Sequence, residues 1–406
     1  MVSISPIRGL LPKPELAGQI CELPYDVMSS EEARAMANGN PWSFLHVSKP
    51  EIDLPPGTDP HEAKVYQQGR HRFQELIRRG ALVHAETPTY YLYRQTSAAH
   101  SQLGLVARAS CDDYRNGTIK KHELTRPDKE EDRVRHIETL EAQTGPAFLF
   151  YRSEAGFEAL LESHSRNLPL YADFVAPDGV RHACWILPRE AGPEIKAFFA
   201  QLSCLYIADG HHRSAAAERV SRSHSADSPA AGFLSVIFPH RQLRILPYNR
   251  ALRDLNGHSE AQLLAKLERV FEIRNPGVAQ PAGQHEVALY LGKKWRSLRF
   301  RPELVATDDP FEKLDVTLLQ KQVLAPLFQI EDPRTSTRVN FIGGIRGTSE
   351  LEKLVNSGEY ACAFSMFPTA IEELMAIADR DRVMPPKSTW FEPKLRDGMF
   401  CHLLGA

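Results

Sequence analysis

Asp209-Gly210-His211-His212-Arg213 sets an acid, a glycine, two histidines and an arginine side by side. Together these groups suit phosphoryl chemistry. Arg213 offers a planar, doubly donating contact to phosphate or carboxylate. His211 and His212 can donate to phosphate oxygens or shuttle protons, and Asp209 can hold Mg²⁺ or act as a base. Gly210 lets a backbone come close to a ligand. The same pentapeptide also reads as an aspartate helix cap followed by surface histidines. A zinc site is not indicated, because adjacent histidines point in different directions on a helix and no H-E-x-x-H accompanies them.

Two further stretches carry candidate chemistry. In "KKHELTRPDKEED", residues 120–132, Glu123 follows His122 and precedes Arg126, just before a helix start at Pro127. A carboxylate beside cations is ionised, which suits metal binding or abstraction of a hydroxyl proton; the alternative is a solvated charge run. In "MPPKSTWFEPK", residues 384–394, two prolines fix the backbone while Lys387, Ser388, Thr389 and Lys394 supply phosphate-type donors. That stretch reads equally as a rigid tail packed by Trp390 and Phe391. The chain has no G-x-x-x-x-G-K-[ST] loop, and Gly343-Gly344 in "FIGGIRG" is too weak a signal for a nucleotide loop.

The elements that must position these groups are legible around them. Leu205-Tyr206-Ile207-Ala208 predicts a buried strand, and Ser214 to Arg219 predicts a helix with no breaker. The pentapeptide therefore sits on a strand-to-helix turn, where free backbone N–H groups favour an anion. Elsewhere, Ser29 or Ser30 predicts a helix cap, "PTYYLYRQT" and "QLGLVARAS" a hairpin, and "EVALYLGKKWRSLRF" another. "LDVTLLQKQVLAPLF" predicts a buried helix, and "RVNFIGG" through "MAIADRD" an α/β unit. Short strands mixed with helices make the expected class α+β (mixed α/β). The expected division is 1–110, a core at 111–250, and 251–406 with its tail folding back to the site.

Composition bounds the function classes. The 406-residue chain is 42% hydrophobic and 25% charged, with net charge −2 and pI near 6.8. That balance argues against a general grip on nucleic acid or an anionic membrane. The N-terminus lacks the apolar core of a signal peptide and no run of about 18 apolar residues would span a bilayer. Six scattered cysteines form no C-x-x-C pair, so reduced thiols and a cytoplasmic location are expected.

"LPYDVMSSEEA", "KHELTRPDKEEDR", "YIADGHHRSAAA" and "VMPPKSTWFEPKL" occur in the order found in domain-of-unknown-function family 1015, which the chain resembles over nearly its whole length. More remotely, the turn resembles that of the ParB-like superfamily, which includes nucleotide-binding partition proteins, sulfiredoxin and kinases of free serine. The resemblance implies a ParB-like strand-turn-helix core with Gly210, His211, His212 and Arg213 cradling nucleotide phosphates. It places Asp209 near a metal or the acceptor hydroxyl, with a separate glutamate as base. Glu123 matches that glutamate in role only, not in motif. The expected catalytic set is thus Glu123, Asp209 and His211, with Lys387, Ser388 and Thr389 as further nucleotide contacts and Asp209 as the metal ligand. ATP or ADP with Mg²⁺ is the implied cofactor set, and a hydroxylated metabolite, free serine first, the implied acceptor. A non-enzymatic nucleotide switch and a phosphatase or nuclease with the same cradle are the alternatives. Sulfiredoxin chemistry needs a cysteine in the turn, and this turn has none. The N-terminal region is left over for dimerisation or acceptor choice.

Overall fold

Alternation along short apolar runs builds one large sheet in the computed structural model, which describes residues 1–98 and 100–405. Its strands are β1 (Ile4–Ser5), β2 (Tyr91–Ser97), β3 (His100–Ser110), β4 (Ile119–Lys120), β5 (Ala147–Tyr151), β6 (Ala172–Val175), β7 (Arg181–Ile186), β8 (Leu205–Asp209) and β9 (Gly232–Pro239). They run in the order β4-β8-β5-β9-β3-β2-β7-β6, with β1 added beside β3. The sheet is mixed: β8 runs parallel to β4 and antiparallel to β5, while β9 runs parallel to β5 and antiparallel to β3.

Both faces are covered, so these strands carry apolar residues on either side. Leu205 and Ile207 join Leu149, Tyr151, Ile237, Phe199 and Ala216 in one core cluster. On the opposite face Tyr206 stacks on Phe150 with ring centroids 5.0 Å apart, and Phe148 lies against Phe238. The chain also forms a second, all-antiparallel six-stranded sheet. Its large face packs Leu252, Leu289 and Phe364, and its small face packs Ala251, Ile342 and Ala363 against Leu351.

Two compact units result: Met1–Leu243 with Pro393–Ala406, and Arg244–Glu392. Residues either side of position 110 hydrogen-bond within the first sheet, as β3 pairs with β9 from Gly232 opposite Ser110 onward. Position 250 lies inside the strand Tyr248–Leu252 of the second sheet. The fold is mixed α/β, with helices and strands interspersed along the chain.

Local signals explain the helix ends. Ser29 and Ser259 both close capping boxes, with Glu32 and Gln262 respectively. Pro127 occupies the first turn of the helix Pro127–Leu140. The buried helix expected over 314–328 forms as Asp315–Leu319 and Ala325–Phe328 joined by a π-helical stretch at Gln320–Leu324. Pro326 cannot donate its backbone nitrogen to a regular α ladder, and the wider stretch lies immediately ahead of it. Among the described residues no helix is long and apolar enough to cross a membrane. All six cysteines are free thiols.

Candidate functional site

The chemistry-bearing turn is positioned by a strand that changes register at its last residue. Ile207 pairs with Leu149 but Asp209 pairs with Phe148, so Ala208 is an extra residue in β8. Such a bulge re-aims the side chain that follows it, and here that side chain is the Asp209 carboxylate. Gly210 then adopts φ +89°, and the helix His211–Ser221 begins with no side chain capping it. A Cβ on Gly210 would stand 3.0 Å from Arg213 Nε and 3.2 Å from its Cζ. Glycine is therefore needed twice over, for the left-handed backbone and for the guanidinium folded beneath it. With the first turn uncapped, helix N–H groups and the positive end of the helix dipole are available to an anion.

Arg213 is buried and its fork is committed inside the protein. Nη1 donates to the Pro146 carbonyl at 2.7 Å, and Nη2 lies 3.6 Å from Asp209 Oδ2. Lys394 Nζ donates to the same Asp209 oxygen at 3.1 Å, and the Gly210 N–H donates to Oδ1 at 2.9 Å. Burial pushes the Asp209 carboxyl up, but the Lys394 and Arg213 cations outweigh it and hold the group well below the usual carboxylate range. Lys394 is itself fixed by a relay of buried glutamines. Gln102 Nε2 donates to Gln95 Oε1 at 2.9 Å, and Gln95 Nε2 donates to the Lys394 carbonyl at 2.7 Å.

The segment 121–126, outside any helix or strand, lies over the turn. Its His122 backbone N–H donates to His211 Nε2 at 3.4 Å, and its Arg126 N–H donates to His212 Nε2 at 3.1 Å. With Nε2 accepting, neutral His211 carries its proton on Nδ1, which lies 3.8 Å from Glu123 Oε2. Burial, with His122 adding to it, drives the His211 pKa well below its ordinary value, and burial lowers His122 to about 4. The two rings meet edge to face, with centroids 4.5 Å apart. Glu123 is half exposed, so its carboxylate faces solvent while standing near the buried His211 ring.

Behind the turn lies a cavity of about 30 Å³ lined by Tyr25, Ser48, Arg133, Thr144, Arg213 and Asp397 among others. Arg213 Nε, Asp397 Oδ1 and Ser48 Oγ are buried without a hydrogen-bond partner among the described residues. A polar space of that size can hold ordered water, which is how such atoms are ordinarily satisfied. Burial raises Asp397 to about 7, with Arg213 and Arg133 pulling it down and Asp26 pushing it up. Arg133 lies over the Tyr25 ring at 3.8 Å and pairs with Asp132 at 2.7 Å.

The structure thus brings Asp209, Gly210, His211, His212, Arg213 and Glu123 together. Lys387, Ser388 and Thr389 belong to the unit Arg244–Glu392. There Lys387 adopts φ +53° with Nζ 5.3 Å from the centre of the Tyr248 ring. Ser388 donates to the Pro385 carbonyl at 2.6 Å, and its own carbonyl accepts from Thr369 Oγ1. Sequence reasoning missed Asp397 and Arg133, and saw His122 only as a neighbour of Glu123. Asp397 lies in "KLRDGM", whose only visible signal is a charged run beside a glycine.

The residues around Asp209 do not fit the expected magnesium ion. Both of its oxygens already accept, from Gly210 N–H and from the paired cations. A like charge about 4 Å away costs roughly 4 kcal/mol per unit charge at an effective dielectric near 20. Among the described residues no group of three or more His, Cys, Asp or Glu side chains is arranged to hold a metal.

No curated protein matches the chain. Solved structures similar to it include a free serine kinase in complex with AMP, 16% identical, with a TM-score of 0.36, over 71% of this chain and 86% of that one. A conserved hypothetical protein from Pyrococcus furiosus is 16% identical, with a TM-score of 0.35, over 72% and 93%. SbnI from Staphylococcus aureus with a C-terminal truncation is 10% identical, with a TM-score of 0.39, over 72% and 85%. The sequence itself matches a family described as protein of unknown function (DUF1015) over residues 4–317, and the chain belongs to that family.

Proposed function

We propose that the protein binds the phosphates of ATP or ADP at the start of the helix His211–Ser221 and transfers a phosphoryl group to a small hydroxylated metabolite, free serine being the first candidate. One observation carries this reading: an uncapped helix N-terminus, entered through left-handed Gly210, flanked by the Lys394 cation on one side and the His211–Glu123 pair on another. Positioning and charge neutralisation do most of the work in phosphoryl transfer, and these groups supply both. Helix N–H groups and Lys394 hold phosphate oxygens, and His212 lies beside them. Arg213 fixes Asp209, which in turn fixes Lys394. Glu123 takes the acceptor hydroxyl proton as the new P–O bond forms and the bridging P–O bond of the nucleotide breaks. His211 Nδ1 lies 3.8 Å from the Glu123 carboxylate, close enough to bias its position electrostatically.

The test is nucleotide consumption in the presence and absence of serine and other small hydroxylated compounds, followed by phosphorus NMR of the product. Acceptor-dependent consumption is expected. Glu123→Gln should lower turnover by about 10²–10⁴-fold while leaving nucleotide affinity nearly unchanged. Binding with no acceptor-dependent turnover would make the protein a switch, and consumption indifferent to acceptor would make it a hydrolase.

A further inference from the structure

The acid at the turn is already neutralised by the protein. Lys394 and Arg213 share Asp209 Oδ2 at 3.1 and 3.6 Å, and the Gly210 N–H occupies Oδ1. Each of these three partners of the carboxylate is a hydrogen-bond donor, where a metal site would need acceptors. Lys394 is not there by chance of a flexible side chain. The Gln102–Gln95 relay holds its carbonyl, Arg396 Nε donates to His182 Nε2 at 3.1 Å, and Asp397 exchanges backbone hydrogen bonds with Glu22. Three anchors within four residues thus fix the segment that delivers this ammonium, whose side chain is only 10% exposed.

We propose that Lys394 is the resident cation of this site, so that the turn binds nucleotide phosphate without a metal ion held by Asp209. Asp209 then acts as a positioning residue: it aims the lysine and does not touch a metal. This deepens the nucleotide-binding reading above and rests on it for the identity of the anion. The arrangement has a second consequence that needs no nucleotide. Removing the ammonium leaves Asp209 with a vacant charge requirement, so a divalent ion should enter only when Lys394 is lost.

Both consequences can be read on the full chain. AMP, which carries a phosphate and chelates divalent ions weakly, is titrated calorimetrically in EDTA and in excess Mg²⁺. Mn²⁺ binding to the nucleotide-free protein is followed separately by electron paramagnetic resonance. The wild-type protein should bind AMP within about twofold of the same affinity in both buffers and should take up no Mn²⁺ at Asp209. Lys394→Met should lose tenfold or more in AMP affinity in EDTA, regain part of it with Mg²⁺, and gain a Mn²⁺ signal that Asp209→Asn abolishes in the double variant. Lys394→Arg should keep affinity within a few-fold and gain no Mn²⁺; it also serves where the methionine variant fails to fold. Asp209-dependent Mn²⁺ uptake by the wild-type protein overturns the proposal, as does an unchanged AMP affinity in folded Lys394→Met. Should wild-type protein bind no AMP at all, the nucleotide reading fails, and the Mn²⁺ arm still decides the role of Lys394.

Discussion

At the end of β8 the chain turns through Gly210 into the helix His211–Ser221, and at the end of the strand Val339–Gly343 it turns through Gly343 and Gly344 toward the helix Gly347–Asn356. Both turns join glycine to arginine within a few residues. In the first, the backbone is left-handed, the arginine is buried, and the space over the glycine is bounded by that guanidinium. In the second, Gly343 and Gly344 have ordinary φ values, and the left-handed glycine comes later, at Gly347 (φ +71°), after the arginine. A Cβ on them would meet the Trp390 ring at 2.9 Å and Pro247 at 2.7 Å, while Arg346 is exposed. One glycine serves a charged site and the other two serve close packing. The same local pattern thus has two physical causes, and only the neighbours from distant parts of the chain distinguish them.

The sharpest way to break this contrast is to remove each arginine. Arg213→Ala removes a buried guanidinium from beside the half-buried Asp209 carboxylate and should cost about 3 kcal/mol of stability, read as the denaturation midpoint. Arg346→Ala should change stability by no more than about 0.5 kcal/mol. Equal costs would show that burial does not separate the two turns.

The glycines give a smaller and more discriminating effect. Gly210→Ala must hold alanine at a left-handed φ, a strain of about 1–2 kcal/mol, and should also weaken AMP binding at least tenfold. Gly343→Ala should cost about 1–3 kcal/mol through overpacking against Trp390 and leave AMP affinity unchanged. Loss of affinity in the Gly343 variant would remove the distinction.

pH should separate the units more gently. Burial lowers His122, His136 and His402 to about 4 and drives His211 and His182 well below their ordinary value, all in the first unit. The unfolded chain takes up those protons near pH 6.5 and the folded unit does not, so stability falls as pH drops from about 6.5 toward 4. Asp397, raised to about 7, His46, raised by its hydrogen bond to Asp53, and Glu22 and Asp113, raised by burial, work the opposite way but are outnumbered. In the second unit a hydrogen bond to Asp315 raises His285, and burial raises Asp315 and Glu373. Those three groups lose stabilisation as pH rises. Hydrogen exchange at pH 5 and 7.5 should therefore show the first unit losing amide protection at the lower pH while the second does not. Parallel loss in both units would contradict this assignment.

The strand-turn-helix at Asp209 was legible because its apolar run, glycine and alanine-rich helix are contiguous. The hairpins and capped helices were legible for the same reason. Glu123 stood out because a carboxylate between His122 and Arg126, just ahead of the helix start at Pro127, is a local pattern. The inward commitment of Arg213 was not legible, since its partner Pro146 carbonyl is backbone and carries no side-chain signal. Nor was the extra residue Ala208, which depends on pairing with Phe148 and Leu149. The glutamine relay joins Gln95 to a residue 299 positions away, and no local pattern announces it.

The interruption of the first unit by Arg244–Glu392 bears on how the protein assembles. The strands Arg244–Leu246 and Trp390–Glu392 pair with each other, Arg244 opposite Glu392, so the inserted unit begins and ends in one ribbon. Closing a flexible loop of that length would cost roughly 4–5 kcal/mol in chain entropy. If the inserted unit folds first and zips its ribbon, that loop shrinks to a short turn before Pro393 seeks its place. The order of synthesis favours this route, because Lys394 leaves the ribosome after the whole insertion. The turn at Asp209 is made early in translation and acquires its lysine late, so the maturation of this site is timed by the folding of a unit that contributes none of its turn residues.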